Sequence, residues 1–256
     1  KDSAMNRKHK FLWPVIFFIV LSGLQTGGIN VFAQGPGPGQ RLPLPPIPIK
    51  GDTTHTLSKH FTPSSAVKKA PDAKGFIQRW LVLEPVKKDI VRNNIFTDDY
   101  LKTAFSTDNF SADYTTIPKN GEMVKLGNHE LKWYALDSKA FNFNLYHFTY
   151  AINKPNYGIL VWLVTVINCT EEIKNVRLAA GCNSGCQWWL NGREALMLSG
   201  DRDMIADNGT SNRLTLKKGK NILRGAVING PGMANFCVRF IDEKGTPVKN
   251  FSISYE

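Results

Sequence analysis

Long apolar runs are scarce in this 256-residue chain. The first, Phe11 to Leu24, extends for about 14 residues, short of the roughly 20 that cross a bilayer. Histidine is scarce as well, with five residues in all, and cysteine numbers four. No Gly-x-Ser-x-Gly stretch occurs, which excludes the strained strand-to-helix elbow that presents a hydrolase serine. The cysteine spacing lacks the second Cys or His pair that a structural zinc site requires. Internal repeats are absent, so a solenoid or propeller array is excluded. Acidic residues are outnumbered, 21 Asp and Glu against 32 Lys and Arg, for a formal charge of +11.

The N-terminal region reads as export and tether. Asn6-Arg7-Lys8-His9-Lys10 is a positively charged start, Phe11 to Leu24 an apolar centre, and Val31-Phe32-Ala33 a small-residue cleavage site, so residues 1–33 form a cleavable signal peptide. The expected location is secreted or periplasmic, with no stable membrane span after cleavage. Eight of the fourteen prolines fall between Gln34 and Lys74. Proline lacks a backbone donor and resists helix, so 34–74 is expected to be a flexible, extended linker. The folded domain is then placed at 75–256.

Residues 1–33 carry Lys1, Arg7, Lys8 and Lys10 against Asp2, which leaves +8 on the mature chain. The lysines are scattered through turns, as at Lys87-Lys88, Lys217-Lys218 and Lys244. They form no stripe on one helix face, so nucleic acid is not the expected partner. A solvated basic surface with weak attraction to acidic polysaccharide fits better. In an exported protein four cysteines suit disulfides. Cys182 and Cys186 flank Asn183-Ser184-Gly185, read as a hairpin tip, and are expected to be bridged. Cys169 and Cys237 read as buried thiols or a second bridge.

From Gly75 onward the pattern is mostly β. Gln78 to Leu83 alternates, and Glu122 to Leu126 with Glu130 to Leu136 make a hairpin around Gly127-Asn128. Asn142 to Ile152 reads as a strand, and Leu160 to Ile167 as a central one. Val176 to Ala180, Gln187 to Leu190, Arg213 to Leu216, Asn221 to Ile228, Phe236 to Asp242 and Phe251 to Tyr255 follow. Thr97 to Phe105 is the single short helix, with Thr97 as its cap and acids in its first turn. Closely spaced strands with Gly and Asn punctuation predict an all-β antiparallel sandwich of jelly-roll type. Leu190, Leu216, Val227 and Val238 are expected inside it.

Three blocks carry a resemblance: Trp188-Trp189-Leu190-Asn191-Gly192, then Leu214-Thr215-Leu216-Lys217-Lys218-Gly219-Lys220-Asn221, then the Phe-x-Val-Arg-Phe-x-Asp-x-x-Gly of 236–245. They resemble galactose-binding-like jelly-roll modules of secreted carbohydrate enzymes. Gly75-Phe76-Ile77-Gln78-Arg79-Trp80 through Phe251-Ser252-Ile253-Ser254-Tyr255 is similar to short secreted Bacteroidetes proteins labelled acetylxylan esterase. The resemblance implies a role in xylan or other hemicellulose breakdown, as an accessory binding module beside a separate hydrolase or as an esterase. A protein-docking module is the third reading.

An esterase needs a nucleophile, a base within reach and an oxyanion site. Ser199, Asp201 and His147 are the weak catalytic candidates, with Ser184 and His129 behind them. A sugar site wants exposed aromatic rings beside polar side chains. Alternation along the strand puts Trp188 in the core with Leu190 and turns Trp189 outward with Gln187. Trp189, Gln187 and Arg193 are therefore the binding candidates, with Trp133 and Tyr134 as a second choice. No cofactor or metal is expected. The Asp201-Arg202-Asp203 to Asp207-Asn208-Gly209 stretch reads either as a solvated loop or as oxygens for a structural calcium ion.

Overall fold

The run from Leu160 to Ile167, apolar but for Thr165, is buried along its whole length, and the fold is organised around it. The computed structural model describes residues 56–90, 92–107 and 114–256. The expected signal peptide and the tether up to residue 55 lie outside them. In chain order the elements are α1 (Leu57–His60), β1 (Phe61–Pro63), β2 (Arg79–Leu83), β3 (Val86–Lys87), α2 (Asp98–Thr107), β4 (Met123–Leu126), β5 (His129–Ser138), β6 (Phe143–Asn144) and α3 (Leu145–Ala151). Then follow β7 (Ile159–Cys169), β8 (Ile173–Cys182), β9 (Gly185–Leu190), β10 (Arg193–Leu198), β11 (Gly209–Thr210), β12 (Leu214–Leu216), β13 (Gly219–Asn229), β14 (Asn235–Ile241) and β15 (Ser252–Ser254).

One sheet of ten strands runs β1-β5-β2-β7-β13-β9-β10, with β3 and β15 also on β7 and β4 on β5. The second, of five strands, runs β11-β8-β14-β6, with β12 also on β8. All pairings between these strands are antiparallel. The protein is an all-β sandwich, and Leu190, Leu216, Val227 and Val238 all lie in the core between its sheets.

Period-2 alternation along β7 explains its composition. Val161 and Leu163 enter the core between the sheets, whereas Leu160, Trp162 and Val164 enter a second core behind the larger sheet. An antiparallel strand usually shows water one face. Here Leu101, Ala104 and Phe105 of α2, together with Phe96, close the back, so both faces must be apolar. Thr97 caps α2 as expected, with its Oγ1 accepting from the Tyr100 N–H at 3.3 Å.

The β9–β10 hairpin turns on Asn191-Gly192 with φ of 51° and 79°, the double positive φ that a two-residue loop of this kind needs. Asn191 also ties the turn to β13: its Oδ1 accepts from the Ile222 N–H at 2.8 Å. Opposite Trp188 stands Gly225. A Cβ there would lie 2.2 Å from Cζ3 of the indole, so the glycine is the space in which the ring lies. Trp188 packs there against Trp80 at 5.5 Å and Phe236 at 5.7 Å.

Four expectations are corrected. The fold begins before Gly75: Phe61 is buried, β1 pairs with β5, and Lys69 bridges Ile253. Proline density had marked this segment as linker, yet an edge strand tolerates proline at its end. Asn142 to Ile152 is mainly helix α3 rather than strand. Asn144 caps it, accepting from the Tyr146 and His147 N–H groups. Leu145, Phe148 and Thr149 are its buried residues, and that i, i+3, i+4 spacing was hidden among alternating aromatics. With α1 and α3, the α-helices number three among the described residues. Finally, Cys182 and Cys186 are free thiols, as are Cys169 and Cys237. Asn183-Ser184 is no hairpin tip: it carries the chain from β8 in one sheet to β9 in the other.

Candidate functional site

Trp189 does lie on the face opposite Trp188, as alternation requires, but that face is not solvent. It is only 7% exposed, stacked on Tyr114 at 4.9 Å and Trp162 at 5.7 Å, with Phe105 edge-on. The outward stacking role expected for it is therefore corrected. Gln187 shares the covered face and is buried, and Trp133 is buried in the same rear core. Tyr134 is half-buried, donates to Glu84 Oε1 at 3.3 Å and has the Lys132 ammonium over its ring. Burial and the Glu84 carboxylate push its phenol up. Arg193 is exposed, but it sits on β10, at the far edge of the sheet from β5. These five residues form no common surface. The missing signal was the cover over the rear face, supplied by α2 and Tyr114.

The catalytic candidates are likewise apart. His147 sits on α3 and lines a pocket with Lys59, His60, Phe61, Ser138, Lys139, Ala140, Asn142 and Asn144, to which neither Ser199 nor Asp201 belongs. Ser199 and Asp201 follow β10, and the Ser199 carbonyl accepts from Arg202. Ser184 is buried, with its Oγ against Asn229 Oδ1 at 3.0 Å. His129 is exposed at the start of β5. Both Asp207 oxygens are engaged by Arg239. Among the described residues no three His, Cys, Asp or Glu side chains gather as a metal site.

What the structure does bring together is a groove beside α1 and the β1 edge. Its first half, of about 240 Å³, is lined by Thr62, Lys69, Gln78, Arg79, Asp137 and Lys139 among others. Its second half, of about 230 Å³, is the His147 pocket, and the two share Ser138 and Lys139. β5 ends at this point and the chain turns through 139–142 into β6, which is why backbone-fixed polar groups collect here. The Ser138 N–H donates to the Gln78 carbonyl, and Gln78 Nε2 donates to the Ala140 carbonyl at 2.8 Å.

Asp137 anchors the first half. Arg79 donates to its two oxygens at 2.7 and 3.0 Å, Tyr255 donates at 2.8 Å, and Lys69 completes the set. Burial acts to raise the Asp137 carboxyl, but the donors from Arg79, Lys69 and Tyr255 outweigh it and hold the group below its ordinary range. The carboxylate is thus ionised and fully engaged, a structural anchor with no base function left to offer.

In the second half His60 and His147 stack face to face, with ring centroids 3.5 Å apart at 12°. His60 lay in the expected linker, so the pairing was invisible from sequence. Lys139 Nζ donates to the Ser58 and Lys59 carbonyls. Phe141, 41% exposed, follows Ala140 in the chain and touches Phe76 at 5.0 Å, and it lines neither half of the groove. A further cavity of about 390 Å³ lies between Ser64–Ala66, the 117–120 segment, Lys220 and Tyr255. Polar groups there are used by the fold: Asn120 Oδ1 accepts from the Ala135 N–H, and Ser254 Oγ from its own neighbourhood donates to the Glu256 carbonyl.

No helix among the described residues is long and apolar enough to cross a membrane. No protein-family model matches the sequence, and no curated protein matches it. Among solved structures, a PA14 sugar-binding domain from an RTX adhesin aligns over 68% of this chain and 96% of its own, at 10% identity and a TM-score of 0.37. The PA14 domain of the MpAFP antifreeze protein aligns over 75% and 96%, at 10% identity and a TM-score of 0.41. The epithelial adhesin 9 A domain from Candida glabrata, in complex with Galb1-4GlcNAc, aligns over 76% and 96%, at 10% identity and a TM-score of 0.35. At this level of similarity no residue of those proteins is carried onto this chain.

Proposed function

We propose that the domain is a carbohydrate-binding module of an exported protein, accessory to xylan or related hemicellulose breakdown, with the groove along α1, β5 and α3 as its sugar site. The observation that supports this is the composition of the groove: Gln78, Asn142, Asn144, Lys139 and a stacked imidazole pair, with the exposed Phe141 lying in sequence between the lining residues Ala140 and Asn142. Sugars present hydroxyls and apolar C–H faces, and such a set offers both kinds of partner.

Affinity electrophoresis of the full chain on soluble xylan tests it. Phe141→Ala is expected to weaken retention without lowering the melting temperature, because the ring is largely outside the core. Retention lost instead by substituting Lys220 in the 390 Å³ cavity would move the site there, and no retention of wild type on any hemicellulose would end the reading. The acetylxylan esterase alternative is tested on a chromogenic acetate ester. Turnover that disappears in Ser199→Ala or His147→Gln would replace the binding reading with the enzymatic one.

A further inference from the structure

Resting on that reading, we infer that the His60–His147 half of the groove holds a carboxylate of the bound polysaccharide, which makes uronate-bearing chains the preferred ligand class. The pocket is lined by Lys59, His60, Lys139 and His147, and it contains no Asp or Glu. The nearest acid in the adjoining half, Asp137, is already neutralised by Arg79 and Lys69. A ligand carboxylate therefore meets cations and donors with no competing anion.

The donors are also held in place before any ligand arrives. Lys139 is exposed but tethered: its Nζ donates to the Ser58 and Lys59 carbonyls, at 2.6 and 3.4 Å, which leaves a third ammonium proton for an acceptor. Asn144 Oδ1 accepts from two backbone N–H groups at 2.9 and 3.2 Å. That fixes the carboxamide plane and leaves its NH2 as a fixed pair of donors. The two imidazoles hold each other's planes by stacking. Charge-assisted bonds from pre-positioned donors are the strong kind, because little rotamer freedom is lost on binding. The formal +11 of the chain adds a general attraction for polyanions, and the experiment must separate that from the pocket.

The full chain is run against glucuronoxylan, the same polymer with its carboxyls reduced to alcohols, neutral arabinoxylan, and dextran sulfate, at 20 and 200 mM salt. Retention by glucuronoxylan is expected to exceed that by the reduced polymer about tenfold and to persist in part at 200 mM salt. Asn144→Asp keeps the α3 cap, since Asp caps as well as Asn, and puts a carboxylate into the pocket. It is expected to abolish the preference for glucuronoxylan over the reduced polymer while leaving the melting temperature unchanged. Lys139→Met is expected to lower the preference as well. Equal retention of native and carboxyl-reduced polymer, or an Asn144→Asp variant that keeps the preference, overturns the uronate inference and leaves the sugar reading standing. Tighter binding to dextran sulfate that vanishes at 200 mM salt identifies bulk charge and also overturns it. Retention by none of the xylans removes the sugar reading itself.

Discussion

Replacing Asp137 by Ala removes the acceptor for four donors at once. Arg79 is the critical partner, since it is buried with 1% exposure. Two of its hydrogen bonds end on Asp137; others reach the Val67 carbonyl at 2.7 Å and Ser65 Oγ at 3.3 Å. Without the carboxylate, the guanidinium keeps part of its hydrogen bonding but loses its counter-charge. Breaking one side of a buried ion pair costs about 3–5 kcal/mol. For a domain of this size each kcal/mol moves Tm by roughly 2–4 °C, so a fall of roughly 6–20 °C is expected. Urea unfolding followed by tryptophan fluorescence, with thermal melts, measures it. The double variant Arg79→Met/Asp137→Leu should recover most of the loss, because replacing both charges by apolar groups removes the stranded cation. A single-variant cost under about 1 kcal/mol, or a double variant no better than Asp137→Ala, would refute the reasoning. The pH dependence follows from linkage. The carboxyl is held below its unfolded value of about 3.9, so its contribution is complete above that pH and is lost as pH falls through the depressed folded value. Asp137→Asn should accordingly show a flatter stability profile below about pH 4 than wild type.

Three further outcomes are expected. Trp189→Ala should destabilise about as much as Trp188→Ala, roughly 3–5 kcal/mol each, since both rings are buried; a Trp189→Ala variant that melts like wild type would mean that the rear face is open. Gly225→Ala should destabilise by at least about 1–3 kcal/mol as an overpacking change, and Gly225→Ala combined with Trp188→Leu should be closer to additive relief than to additive loss. A thiol titration of unreduced protein should find no reactive cysteine in the native state and four after denaturation; two after denaturation would show that Cys182 and Cys186 are bridged after all.

Local chemistry alone carried much of the architecture. Asn191-Gly192 suits a tight turn because such residues readily take two successive positive φ values, although the strand after it, β10, was not among those expected. Alternation separated Trp188 from Trp189, and Thr97 with Asp98 and Asp99 marked the start of α2. These are properties of neighbouring residues, which the chain encodes directly. Tertiary structure decided what each face meets. Whether Trp189 sees water depends on α2 and Tyr114 closing the back of the larger sheet, and no pattern within β9 encodes that cover. His60 and His147 lie 87 residues apart in numbering and become partners only because β1 pairs with β5 and the chain turns directly into α3. The groove exists because those non-local pairings end together. Sequence periodicity assigns a side chain to a face; it takes the packed neighbours to make that face a core or a site.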